Sequence, residues 1–66
     1  MKNRIRVERA ELRLTQQDLA ERCGVSRQTI NAIEAGKFIP STVLALKIAQ
    51  TFQKPVEAIF SLDDED

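Results

Sequence analysis

Arg27, Gln28, Thr29 and Asn31 crowd hydrogen-bonding side chains into positions 27–31 of a segment with regularly spaced apolar residues. Guanidinium and carboxamide groups can pair bidentately with base edges in a DNA major groove. Arg27 suits guanine O6 and N7, Gln28 suits adenine N6 and N7, and Asn31 is a further candidate for base contact. Gln16, Thr29 and Lys37 carry the amide, hydroxyl and ammonium donors that hold phosphates. For each, the competing reading is an ordinary solvated surface. Covalent and metal chemistry is poorly served. The chain has no His and one Cys, so the commonest general base and metal ligand is missing and no internal disulfide can form. No catalytic residue, metal site or cofactor is expected.

These side chains read bases only if a helix presents them outward. Ile30 and Ile33 recur at helical spacing opposite the polar face, and Leu19, Ala20 and Cys23 do the same just upstream. Cys23 thereby reads as a small core residue rather than a reactive thiol. A second helix is expected to start after Thr15, with Asp18 completing a weak capping box, and to stop at Gly24. Val25 plugs the corner, and Ser26 caps a third helix running from about Arg27 to Ala35 before Gly36. Upstream, a first helix spans about Asn3 or Arg4 to Leu12, with Val7 and Ala10 inward and Leu14 closing the connection. Downstream, a loop over Lys37–Pro40 leads to Ser41, the cap of a fourth helix reaching about Gln53. Its inward residues are Leu44, Ala45, Ile48, Ala49 and Phe52. Pro55 opens a short fifth helix to about Phe60.

T-Q-x-x-L-A from Thr15, G-V-S from Gly24, S-R-Q-T-I-N from Ser26, I-E-x-G-K from Ile33, P-S at Pro40 and L-A-L-K-I-A from Leu44 form an ordered series. With the ending P-V-E-A-I-F, the pattern from Asn3 to about Phe60 resembles the helix-turn-helix of the Xre/Cro family of phage repressors and small bacterial regulators. The resemblance implies an all-α, five-helix lambda-repressor-like fold, with residues 1–62 as the DNA-binding domain and 63–66 as an acidic tail. It also implies a short antiparallel sheet between Met1–Asn3 and Ser61–Asp63, for which neither segment has alternation of its own. An ion pair between Arg9 and Glu34 is implied, tying the first helix to the end of the third. Leu46, Val56, Ile59, Phe60 and Leu62 offer more apolar surface than one small core absorbs, and by family analogy build a twofold homodimer. The chain departs from the pattern at Glu8 and Leu12, where an apolar and a polar residue are more usual. Ala32 suits contact with a thymine methyl, although these regulators often carry a longer polar residue there. Phe38 and Ile39 form an apolar pair at a loop tip, read either as a lid on the core edge or as a contact to operator sugars.

Sixty-six residues allow one small domain with a marginal core. The formal net charge is zero, yet residues 63–66 are all acidic, leaving residues 1–62 with ten basic and six acidic groups, a net of +4. A mildly basic domain with a solvated acidic tail is expected. No apolar run approaches the roughly 20 residues that span a bilayer, and no signal peptide is evident, so cytoplasmic residence is the default. The leading expectation is a sequence-specific transcriptional regulator, repressor rather than activator, acting as a dimer on a palindromic site in double-stranded DNA. An antitoxin-like module with an unidentified protein partner is the alternative, weakened because only D-D-E-D follows the fold.

Overall fold

Hydroxyl side chains start three of the helices in the computed structural model, which describes residues 1–66. The chain runs β1 (Lys2–Asn3), α1 (Ile5–Leu12), α2 (Gln16–Cys23), α3 (Arg27–Glu34), α4 (Thr42–Phe52), α5 (Val56–Ile59) and β2 (Phe60–Ser61). Thr15 Oγ1 accepts the Asp18 N–H at 3.0 Å while Asp18 Oδ2 accepts the Thr15 N–H at 2.9 Å, a complete reciprocal capping box. The Thr15 backbone amide, more than any other group, holds the Asp18 carboxyl below the ordinary aspartate range. Ser26 Oγ accepts from the Thr29 N–H, and Ser41 Oγ from the Leu44 N–H, each at 3.2 Å. Each cap satisfies an amide that the first helical turn leaves open.

The helices α1 to α4 end alike. The residue after the last helical turn takes a left-handed conformation, and two backbone hydrogen bonds close a Schellman turn behind it. At the end of α2, Gly24 (φ 72°) donates to Glu21 O at 3.3 Å and Val25 to Ala20 O at 3.0 Å. At the end of α3, Gly36 (φ 76°) donates to Ile33 O at 3.0 Å and Lys37 to Ala32 O at 2.9 Å. Arg13 and Gln53, both at φ 56°, play the same part after α1 and α4 without the freedom of glycine. Each turn aims the next residue: Leu14 and Val25 against the core, Lys37 and Lys54 outward.

Ile5, Leu19, Ile30, Ile33, Ile48 and Ile59 are the largest fully buried side chains, joined by Cys23, Leu44, Phe52 and Phe60. The buried Cys23 thiol is pushed up from its ordinary pKa by desolvation. The first helix corrects one expectation. Val7 and Ala10 face solvent, and the inward side of α1 carries Ile5 and Glu8. Glu8 is only 3% exposed and is neutralised in place, its Oε1 lying 2.7 Å from Lys54 Nζ and its Oε2 3.7 Å from Arg4 Nε. Lys54 also reaches Glu11 at 3.6 Å, so α1 is fastened to the turn after α4 by charge where an apolar contact is usual.

The terminal sheet is present, with β2 at Phe60–Ser61 where Ser61–Asp63 was the expected segment. Lys2 pairs with Ser61 and Asn3 with Phe60, and the Arg4 N–H donates to Ile59 O at 2.8 Å. Phe60 therefore closes α5 as the first residue of β2 rather than lying within the helix. The acidic ending is not a free tail. The Met1 ammonium donates to Asp63 Oδ2 and Asp66 Oδ1, both at 3.2 Å, which raises its pKa through the Asp66 hydrogen bond first.

No atom lies within 4 Å of a Cβ built on Gly24, so Gly24→Ala is opposed by backbone conformation alone and should cost about 1 kcal/mol. Gln53→Gly relieves the same strain and should raise stability, by up to about 1 kcal/mol after the added unfolded-state entropy; denaturant midpoints measure both. For Glu8, the Lys54 hydrogen bond lowers the carboxyl below its ordinary 4.5, so its contribution is present above that value and lost as pH falls through the lowered one. Thermal melts from neutral pH into acid should show wild type converging on Glu8→Gln, with the gap widest near neutrality.

Candidate nucleic-acid interface

The turn at Gly24, Val25 and Ser26 sets α3 across α2 with two distinct sides. Ile30 and Ile33 enter the core, while Arg27, Gln28 and Asn31 are exposed. Thr29 and Ala32 lie half-buried along the boundary. Neither Arg27 nor Lys37 enters an ion pair within the chain, so both cations are available to an external anion. The only acid on α3, Glu34, is matched internally. Arg9 Nε and Nη2 each lie 3.0 Å from one of its carboxylate oxygens, and Arg9 Nη1 donates to Leu14 O at 2.9 Å. A planar two-point contact of this kind fixes orientation as well as distance.

Two further side chains hold α3. Asn3 Nδ2 donates to Ile33 O at 3.0 Å while its Oδ1 accepts the Ile5 N–H at 3.2 Å, so a β1 side chain joins the start of α1 to the end of α3. Gln16 Nε2 donates to Asn31 Oδ1 at 3.2 Å and approaches Glu34 Oε2 at 3.4 Å. The structure thus brings together Gln16 and Asn31 across α2 and α3, the first expected at phosphate and the second at a base. The Thr29 hydroxyl sits 3.0 Å from the Ser26 hydroxyl, within the helix cap. A cleft of about 340 Å³ separates α1 from this pair, lined by Arg6, Arg9, Gln16, Asn31, Glu34 and Ala35. Arg6 was not singled out by the sequence; its signal is the i, i+3 spacing to Arg9, which puts two guanidiniums on one side of α1.

At the other end of the molecule the apolar residues divide. Ile59 and Phe60, expected at a subunit interface, are buried within the chain's own core, because α5 packs under α4 and hands Phe60 to the sheet. Leu46 and Leu62 remain outward, Leu62 at 76% exposure, and Val56 is half-buried. Ile39 and Val43, each 64% exposed, extend this surface. The V-x-x-L spacing of Val43 and Leu46 is the sequence signal for them, one helical turn apart on α4. An apolar groove of about 260 Å³ runs between Ile39, Pro40, Leu46, Val56 and Phe60.

Known proteins share this arrangement. The helix-turn-helix family model matches residues 5–59. An uncharacterized HTH-type transcriptional regulator of Methanocaldococcus jannaschii is 53% identical over 66 residues, with both chains covered completely. The uncharacterized HTH-type transcriptional regulator YgzD of Bacillus subtilis is 45% identical over 65 residues, covering 98% of each chain. Among solved structures, the clp gene regulator ClgR from Corynebacterium glutamicum matches with a TM-score of 0.74 at 27% identity. That match covers 79% of this chain and 55% of ClgR, so this chain corresponds to little more than half of that one. No helix is long and apolar enough to cross a membrane. With an outward polar α3 locked on α1 and α2, and relatives matched end to end, the chain belongs to the helix-turn-helix family of DNA-binding transcriptional regulators, of the Xre/Cro type, and is not an enzyme.

Proposed function

We propose that the protein is a cytoplasmic transcriptional repressor that binds a palindromic operator as a homodimer and blocks promoter DNA by occupying it. The observation that carries this reading is the division of α3 into a side locked by Ile30, Ile33 and Glu34 and a side presenting Arg27 and Gln28 without internal partners. Arg27, Gln28 and the free amide donors of Asn31 reach base edges, with Gln28 pairing to adenine and Arg27 to guanine. Lys37, just past the helix, and Gln16, in the first turn of α2, take flanking phosphates. The amide end of α2 supplies partial positive charge beside Gln16. Thr29 adds its hydroxyl at the rim of the same surface, shared with the helix cap.

Exposed Ile39, Val43, Leu46 and Leu62 with half-buried Val56 support self-association, since an apolar surface of this kind is costly to leave in water. A twofold pair would place two α3 helices about 34 Å apart, one turn of duplex.

Selection of binding sites from random duplexes should recover two inverted half-sites with centres about one helical turn apart. Gln28→Ala should lose discrimination at one base pair per half-site, at a cost of about 1–3 kcal/mol. Lys37→Ala should weaken all duplexes alike and reduce the salt dependence of binding. Identical behaviour of the two variants toward every duplex would refute the assigned roles. Sedimentation of the free protein at micromolar concentration showing only a 7.5 kDa species, together with selection of a single asymmetric half-site, would refute the dimer.

A further inference from the structure

The turn that ends α3 builds a cleft beside the polar face that base pairing by Gln28 and Arg27 leaves unused. Gly36 in its left-handed conformation and the Lys37 N–H bond to Ala32 O bring the following loop back along the helix. Gln28, Thr29, Ala32, Lys37 and Phe38 then line an open, shallow cleft of about 390 Å³. Its walls are chemically uneven. Gln28 and Lys37 supply polar groups at the edge, whereas Ala32 and the Phe38 ring are apolar, and the Thr29 hydroxyl is taken by Ser26. Phe38 is 50% exposed and stands outside the buried core cluster. Core packing therefore accounts for only part of this ring.

An apolar cleft on a surface that enters a major groove has one matching group there. Of the base-pair edges, only thymine presents a methyl group, at C5; the rest present donors and acceptors. Ala32 provides the room: a longer side chain at that position would fill the cleft from the helix side. Gln28, suited to adenine, stands at its margin, and Lys37 stands where a phosphate of the same strand can be held. Resting on the DNA-binding reading above, we infer that the Ala32–Phe38 cleft receives a pyrimidine C5 methyl, that of a thymine in each half-site. Phe38 is thereby a specificity-determining residue outside the recognition helix.

The test is a substitution scan of the selected operator in which each thymine is replaced singly by deoxyuridine, which removes the methyl and leaves every hydrogen-bonding group in place. One position per half-site should lose affinity by about fourfold to tenfold, the worth of a buried methyl. At that position 5-methylcytosine should bind more tightly than cytosine by a similar factor. In Phe38→Ala the thymine–uridine difference should vanish at that position. A flat scan with the wild-type protein overturns the inference, as does a methyl effect that survives in Phe38→Ala. Either result leaves operator recognition intact, whereas failure to select any preferred duplex overturns both. The wild-type scan needs no variant to fold, and a melting curve of Phe38→Ala checks the second arm.

Discussion

A single carboxylate, that of Glu34, governs where the outward side of α3 points. Its side chain is 8% exposed, and the charge would be costly there without Arg9, whose guanidinium meets both oxygens. Arg9 in turn is held by Leu14 O, and Gln16 approaches the same carboxylate from α2. Three helices thus converge on one charged group at the end of α3. Such a pair adds little net stability against an apolar alternative. What it supplies is direction: two fixed hydrogen bonds at one end of a short helix determine the angle at which the other end leaves the surface. Asn3 reinforces the same joint from β1, so the small sheet serves the interface although it lies away from it.

The helix ends show one local device serving unlike purposes. After α1 and α2 the Schellman turn delivers an apolar residue, Leu14 or Val25, that seals a corner of the core. After α3 and α4 it delivers a lysine. Lys37 is thrown outward beside the exposed side of α3, and Lys54 is thrown onto Glu8 of α1. Because these turns need only a residue that tolerates a left-handed conformation, their outcome is decided by the side chain that follows. In a domain with so few buried residues, capping and turn bonds carry a larger share of specification than in a large core.

The legibility of the sequence tracks where information is local. Thr15, Ser26, Ser41, Gly24 and Gly36 announced the ends of α2, α3 and α4 to within a residue or two, because caps and left-handed turns are properties of adjacent residues. The inward side of α1 departs from the apolar pattern for a physical reason. It is built from Ile5, Glu8 and Arg9, so its burial is charged, and a search for apolar periodicity settles on Val7 and Ala10 instead. The partner that makes Glu8 acceptable, Lys54, lies 46 positions later in the chain. Pairing of β1 with β2 is equally non-local and involves two residues on each side, too few for alternation. At the C-terminal end, Ile59, Phe60 and Leu62 are close in sequence but divide between core and surface. A four-residue helix followed at once by a strand has no period from which that division could be read.

Within α3 the residues that support the fold and those that face outward overlap only at Asn31, which is exposed yet accepts from Gln16 of α2. Ile30, Ile33 and Glu34 are committed inward, whereas Arg27 and Gln28 have no side-chain partner within the chain. Substitutions at Arg27 and Gln28 can therefore change the outward chemistry of α3 at little thermodynamic penalty. The helix behaves as a replaceable key bit on an unchanging shaft, so its outward chemistry can change without passing through unfolded intermediates.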